Sequence, residues 1–264
     1  SRRRHTRSFH VTGVQTCALP IYRRPALVQV RPGRPRRKGG DGPSCLTEPQ
    51  VAAARKIYAD VYDPKTGTLV SRGLEPGSEP QWGAVAANTP HPMYMDLLKF
   101  IVYQDPNWDY SKLDLKDLER ARKVDGGILA AMSTDITPFT SRGGKLIVYH
   151  GWADMNIPPE GSVDYYKGLQ STMGKDKVAT SVRLFMVPGM FHCRGGVGTD
   201  RFDPMTSLVN WVENGIAPDT IPAAQERDGK VVRTRPLCPY PLVARHSGTG
   251  SPDDAANFTC RPPG

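Results

Sequence analysis

No run of apolar residues in this 264-residue chain approaches the roughly 20 that a membrane-spanning helix needs. No internal repeat is present from which a solenoid or propeller could be stacked. No serine has glycine both two places before and two places after it, so the G-x-S-x-G elbow that raises a nucleophilic serine above a sheet is missing. Gly195, Gly196 and Gly198 lack a strand–glycine–helix context and a Lys-Ser/Thr pair, which excludes a phosphate cradle and leaves them as loop flexibility. The Asp253-Asp254 pair lies in a polar stretch too exposed to argue for a metal.

Acidic residues are also missing from positions 1–40, which hold eleven Lys and Arg. That absence changes the meaning of the formal charge of +9, because residues 41–264 carry 24 basic against 26 acidic side chains. The body is near neutral, so a nucleic-acid or anionic-surface partner would rest on the front end alone. Val11 to Ile21 (VTGVQTCALPI) resembles the translation of a short-read sequencing adapter. The following YRRPALVQVRPGRPRR has the Arg/Pro bias of a GC-rich gene read out of frame, and Lys38 to Pro43 marks the expected re-entry. Residues 1–37 are therefore set aside as a non-native, disordered segment. The expectation is a product shortened at its N-terminus, in which the lack of a signal peptide carries no information. The alternative is a genuine basic arm that binds phosphates.

Beyond that segment, Thr47 is the expected N-cap and Pro49 a first-turn residue of a helix whose apolar face is Val51, Ala54, Ile57, Tyr58 and Val61. Residues 63–92 are rich in Gly and Pro without a sustained period, as in a lid or insertion. Tyr94 to Tyr103 reads as a short buried helix and Leu113 to Met132 as a longer amphipathic one. From Gly144 the pattern changes. KLIVYHG and VRLFMVPG read as strands buried on both faces, separated by a helix from Val163 to Met173 that Gly174 ends. Met205 to Glu213 is a further helix, and Asp228-Gly229 the turn of a hairpin near Arg227 to Arg235. Strand, helix, strand, helix predicts a βαβ unit and an α/β fold class.

Of the five cysteines, Cys17 belongs to the adapter-like segment. Cys238 and Cys260 bracket a short Pro/Ser/Gly-rich tail, where a disulfide would contribute about 3 kcal/mol and imply an oxidising compartment. Cys45 and Cys193 either pair with each other or have partners outside the chain.

In an open α/β sheet the active site lies beyond the carboxyl ends of the strands. Asp154 follows the first strand and His192 the second, 38 residues later, which accommodates a loop, a helix and a return strand. An acid and then a base after successive strands is the order of a hydrolase triad. A serine hydroxyl is a poor nucleophile until an imidazole takes its proton, and the carboxylate fixes the imidazole tautomer. Trp152 is placed to line an aromatic substrate pocket, with core packing as the competing role. His150, at the strand end, reads as structural.

GGKLIVYHGWAD, RLFMVPGMFHCRGGVG and LVNWVENGIAP, in this order, resemble the C-terminal part of the tannase and feruloyl esterase family; CLTEPQVAAARKIYADVYDPKTG and GLEPGSEPQWG resemble the end of its lid domain. The resemblance covers roughly residues 38–264. It implies a partial α/β-hydrolase fold, with residues 38–135 as lid remnant and connecting helices, and residues 136–264 as the C-terminal core with a disulfide-closed tail. It carries Asp154 and His192 onto the family's triad acid and base. Cys193 falls on the cysteine that pairs beside the nucleophile, so Cys193 and Cys45 are expected to lack their partners here. No cofactor is implied, the family's lid calcium loop lying ahead of the CLT segment. The intact parent would be secreted or periplasmic and would act on a small phenolic ester, with no nucleic-acid or membrane partner. This chain, without the serine, is expected to be inactive and, with strands uncovered, to form a poorly soluble or molten state. The alternatives are a non-catalytic basic-arm binder or a mis-assembled reading frame without function.

Overall fold

A computed structural model describes residues 48–85 and 91–264. They fall into two compact units divided between Met132 and Ser133. The 1–37 segment, the expected cap Thr47, and Cys45 lie outside the described residues.

In the first unit, α1 (Glu48–Tyr58) leads into a hairpin of β1 (Val61–Tyr62) and β2 (Leu69–Ser71). The stretch expected to be irregular therefore carries short elements, held by polar anchors and not by a periodic apolar face. Asp63 accepts hydrogen bonds from the Lys65 and Thr66 N–H groups in the turn. Asp60 pairs with Arg72 at 2.7 Å and accepts from the Gly73 N–H at 3.0 Å. After a 3-10 turn at Glu79–Gln81, α2 (Trp82–Val85) sets the Trp82 Nε1–H on Ser78 Oγ at 3.0 Å.

The expected buried helix at 94–103 is α3 (Pro92–Asp96) continued by a π-helical stretch, Leu97–Val102. Only Leu98 and Val102 of that stretch are buried, whereas Phe100 and Ile101 are exposed. The next helix, α4 (Leu115–Asp125), is shorter than the expected 113–132. A capping box of Asp114 and Asp117 starts it, and Gly126 (φ +57°) and Gly127 (φ +81°) end it. The Asp125 carboxylate then accepts from the Leu129 and Ala130 N–H groups, bonds incompatible with another helical turn.

The second unit holds the α/β core. A short α5 (Thr137–Thr140) precedes β3 (Leu146–Gly151), then α6 (Glu160–Met173), α7 (Lys175–Ser181) and β4 (Val182–Val187). β3 and β4 are parallel, in register from Leu146–Val182 to Gly151–Val187, so both carboxyl ends lie at one edge. Period-2 alternation makes β4 the axis of the core. Val182, Leu184 and Met186 face Val163, Tyr166, Leu169 and Val178, while Phe185 and Val187 face Met190, Ile221, Ala223 and Leu237. β3 departs from the expected two-sided burial: its residues are mostly half-buried, and Tyr149 is 44% exposed. Among the described residues β3 pairs with β4 alone.

β5 (Arg201–Phe202) precedes α8 (Pro204–Asn214), which Asp203 caps and Gly215 (φ +71°) ends. β6 (Ile221–Arg227) and β7 (Lys230–Leu237) form the expected hairpin, longer than the sequence pattern indicated, through Asp228 (φ +51°) and Gly229 (φ +72°). Two successive positive φ angles make this a type I′ turn, whose twist matches the strands. β8 (Val243–His246) and β9 (Phe258–Arg261) pair in the tail, and the expected disulfide joins Cys238 to Cys260.

With β4 covered on both faces, exposure falls on β3 and not on the centre of the core. Against the molten state expected from uncovered strands, the second unit is therefore expected to melt cooperatively, with dispersed methyl signals in an NMR spectrum; a gradual transition would contradict this. In urea unfolding, Leu184→Ala should lower stability by roughly 2–5 kcal/mol. Val212→Ala, on an exposed position of α8, should change it by under about 0.5 kcal/mol. Replacing Cys238 and Cys260 together by Ser should cost about 3 kcal/mol, and limited proteolysis should then cut first in the tail.

Candidate functional site

Two loops leave the common edge of β3 and β4, and backbone bonds tie them together. The Trp152 N–H donates to the Val187 carbonyl at 2.9 Å, and the Ala153 N–H to the Met190 carbonyl at 3.0 Å. Gly151 permits this approach, since a Cβ there would lie 2.3 Å from the Met190 oxygen. The second loop is equally close-packed. Val197 and Gly198 N–H both donate to the Gly189 carbonyl, and Phe191 N–H to the Gly195 carbonyl. A Cβ on Gly196 would come within 2.0 Å of the Gly189 oxygen, and one on Gly198 within 1.8 Å of the Pro188 oxygen. Gly196 and Gly198 therefore serve close backbone contact, which corrects their reading as loop flexibility, whereas Gly195 (φ +76°) has no such contact.

The tether brings Asp154 and His192 together. The Asp154 side chain is buried, and four donors surround it. Its Oδ1 accepts from the N–H groups of Asn156 at 2.7 Å and Ile157 at 3.0 Å. Its Oδ2 lies 2.8 Å from His192 Nδ1 and 3.0 Å from His150 Nε2. Burial pushes the carboxyl upward, but the bonds from His150, the Ile157 N–H, His192 and the Asn156 N–H outweigh it and bring the pKa down to about 2. An ionised carboxylate cannot face a ring lone pair at these distances, so both imidazole nitrogens directed at Oδ2 carry hydrogen. Neutral His192 is thereby the Nδ1–H tautomer. Its Nε2 makes no hydrogen bond among the described residues, and its side chain is 43% exposed. A lone pair presented this way can take a proton from a hydroxyl brought against it.

Trp152 is half-buried and packs against the Val163–Leu184 side of the core. His150 is the participant whose contact with the acid sequence reasoning missed: beyond Asp154 it meets Ser162 Oγ through Nδ1 at 2.8 Å. The signal available was its position as the next-to-last residue of β3, four residues before Asp154. Cys193 is exposed, adopts φ +63°, and forms no disulfide with a described residue. Asp253 pairs with Arg233 at 2.6 Å and Asp254 caps a 3-10 turn. Among the described residues no group of three or more His, Cys, Asp or Glu converges as a metal site requires.

Comparison with known proteins identifies relatives of the chain. The family model described as tannase and feruloyl esterase matches residues 34–261. A mono(2-hydroxyethyl) terephthalate hydrolase of Piscinibacter sakaiensis is 50% identical over 136 residues, 50% of this chain and 22% of the relative. A probable feruloyl esterase B-1 of Aspergillus flavus is 32% identical, covering 84% of this chain and 46% of its own. Among solved structures, an esterase from Aspergillus oryzae superposes with a TM-score of 0.78 at 32% identity, over 84% of this chain and 48% of the other. Feruloyl esterase B from the same organism gives 0.75 at 29% identity, over 83% and 47%. The chain thus spans at most about half the length of these relatives, and its fold is part of an α/β-hydrolase fold. Since the family model runs through both described units, the chain belongs to the tannase and feruloyl esterase family.

Proposed function

We propose that these residues supply the acid and base of a Ser–His–Asp triad in a carboxylic ester hydrolase, Asp154 the acid and His192 the base. The observation that carries this reading is the 2.8 Å contact between Asp154 Oδ2 and His192 Nδ1 on loops leaving one sheet edge. His192 Nε2 takes the proton of a serine hydroxyl as its oxygen attacks the ester carbonyl. The imidazolium, stabilised by Asp154, returns that proton to the departing alcohol, and water then releases the acid from the acyl-serine by the same base catalysis. The serine lies outside these 264 residues, which hold no G-x-S-x-G. The acyl group is an aromatic carboxylic acid, such as ferulate or gallate. Support comes from the names of the relatives, whose feruloyl and terephthalate esters share an aromatic acid. Trp152 is proposed to border that acid, and residues 38–135 to be the remnant of the lid and its connecting helices. The Cys238–Cys260 disulfide favours a secreted or periplasmic setting. No helix among the described residues is long and apolar enough to cross a membrane.

The 264-residue chain is expected to turn over a chromogenic feruloyl ester no faster than buffer does. A robust rate that His192→Ala abolishes would place a nucleophile within these residues. In a longer form of the chain that carries the proposed serine, His192→Ala should lower kcat by about 10⁶-fold and Asp154→Asn by about 10⁴-fold, each with little change in KM. Unaltered kcat in both would end the triad assignment.

The depressed pKa of Asp154 also fixes a sign. Its folded value of about 2 lies below the ordinary 3.8, so the ionised carboxylate stabilises the fold above 3.8. That stabilisation is lost as pH falls from 3.8 towards about 2. Unfolding free energy measured across this window should drop more steeply for the native chain than for Asp154→Asn.

A further inference from the structure

His150 is a titratable group in direct contact with Asp154 that the proposed mechanism does not use. Its side chain is 13% exposed, and both ring nitrogens are occupied: Nδ1 by Ser162 Oγ at 2.8 Å and Nε2 by Asp154 Oδ2 at 3.0 Å. A carboxylate offers about four lone-pair sites. Asp154 fills them with Asn156 N–H and Ile157 N–H on one oxygen and the two imidazoles on the other. Without the donor at 150, the carboxylate would keep a vacant acceptor in a site only 2% exposed. It could then turn about its last torsion to share itself differently, and Oδ2 would no longer be fixed in front of His192.

We propose that His150 is a positioning residue of the site: held by Ser162, it clamps Asp154 Oδ2 so that the remaining lone pair of that oxygen points at His192 Nδ1. The proposal rests on the triad reading above and assigns His150 no contact with substrate. Ser162 sets the direction of the clamp. With the ionised carboxylate on Nε2, that nitrogen bears hydrogen, and the Ser162 hydroxyl donates to the Nδ1 lone pair. The ring is thereby kept from flipping to present its other nitrogen to Asp154. The division of labour between the imidazoles follows from exposure. His150 has no nitrogen free to receive a proton, whereas His192 is 43% exposed and keeps Nε2 free of hydrogen bonds among the described residues.

The linear order Ser162–His150–Asp154 also matches the hydrogen-bond sequence of a complete triad. Ser162 nevertheless sits in the first turn of α6, and the nearby Gly161 and Ser162 N–H groups already donate to the Pro158 and Pro159 carbonyls. Those two amides are therefore not free to stabilise an oxyanion.

The test is a long-range proton–nitrogen NMR spectrum of the six histidines in the ¹⁵N-labelled 264-residue chain at mildly alkaline pH, with assignment by substitution. The native chain should give His192 as the Nδ1–H tautomer, with a low-field, slowly exchanging ring proton, and His150 as the Nε2–H tautomer. In His150→Leu the His192 ring proton should exchange with water about tenfold faster, because Asp154 Oδ2 is no longer held in front of it. In His150→Gln, whose amide can donate to Oδ2, the slow exchange should return. Rescue by Gln separates clamping from ring packing, which the amide does not replace. A folded His150→Leu with an unchanged His192 signal overturns this inference and leaves the triad reading standing. A native His192 in the Nε2–H form, or a native spectrum without dispersed ring signals, overturns both. Should His150→Leu fail to fold, Ser162→Ala decides: severalfold faster His192 exchange supports the clamp, and no change overturns it. Hydrolysis of 4-nitrophenyl acetate that disappears in Ser162→Ala would make Ser162 a nucleophile and His150 its base, which also overturns the positioning role.

Discussion

The candidate site depends on one backbone constraint, the bond from the Ala153 N–H to the Met190 carbonyl across the space that Gly151 leaves open. Parallel register alone brings two loops to one edge of a sheet, but it leaves the loops free to diverge. The tether removes that freedom within one residue of Asp154 and two of His192. A side chain at 151 would push the loops apart by more than a hydrogen bond can span. Gly151 is therefore where close approach, and not a turn, demands glycine.

Once the loops are joined, electrostatics determines what the pair can do. A buried carboxylate would ordinarily gain a proton, because low dielectric penalises charge. Here four donors reverse the preference, and the carboxyl titrates near pH 2. An anion that stays ionised across the neutral range dictates which ring nitrogen of each neighbouring histidine carries hydrogen. The tautomer of His192 is thus a consequence of how Asp154 is solvated by the protein, and its basic nitrogen is directed outward for the same reason.

Much of the second unit was legible because its elements are strongly patterned. Apolar hexapeptides ending in glycine or proline marked β3 and β4, and the hairpin turn at Asp228-Gly229 announced itself by composition. Placing Asp154 and His192 after those strands needed only the topology of a βαβ unit. What escaped was carried by other physics. α7 is a short helix started by a glycine at φ +90°, with no period long enough to register. The first unit relies on side-chain-to-backbone bonds from Asp60, Asp63 and Asp125, which leave no hydrophobic rhythm. Helix α4 stopped short because Gly126 and Gly127 adopt positive φ, an outcome that the apolar residues beyond them concealed. His150 looked structural because a polar residue at a strand end commonly is; its partners, four and twelve residues on, belong to a turn and a helix whose approach is a tertiary fact.

The same distinction bears on how a chain spanning half the length of its relatives can hold a site's geometry. Asp154 is fixed by its own turn, by His150 on β3, and by the tether to the loop after β4. His192 is fixed by a glycine-packed loop that returns through the Gly195 N–H to Asp200, and the Gln225 amide of β6 reaches the Gly196 carbonyl. All of these residues belong to the second unit, and the strand that anchors them, β4, is covered on both faces from within it. Among the described residues the edge of β3 away from β4 is unpaired, so pairing there would extend the sheet without altering the bonds that set Asp154 against His192. The geometry of the pair is consequently a local property of this unit.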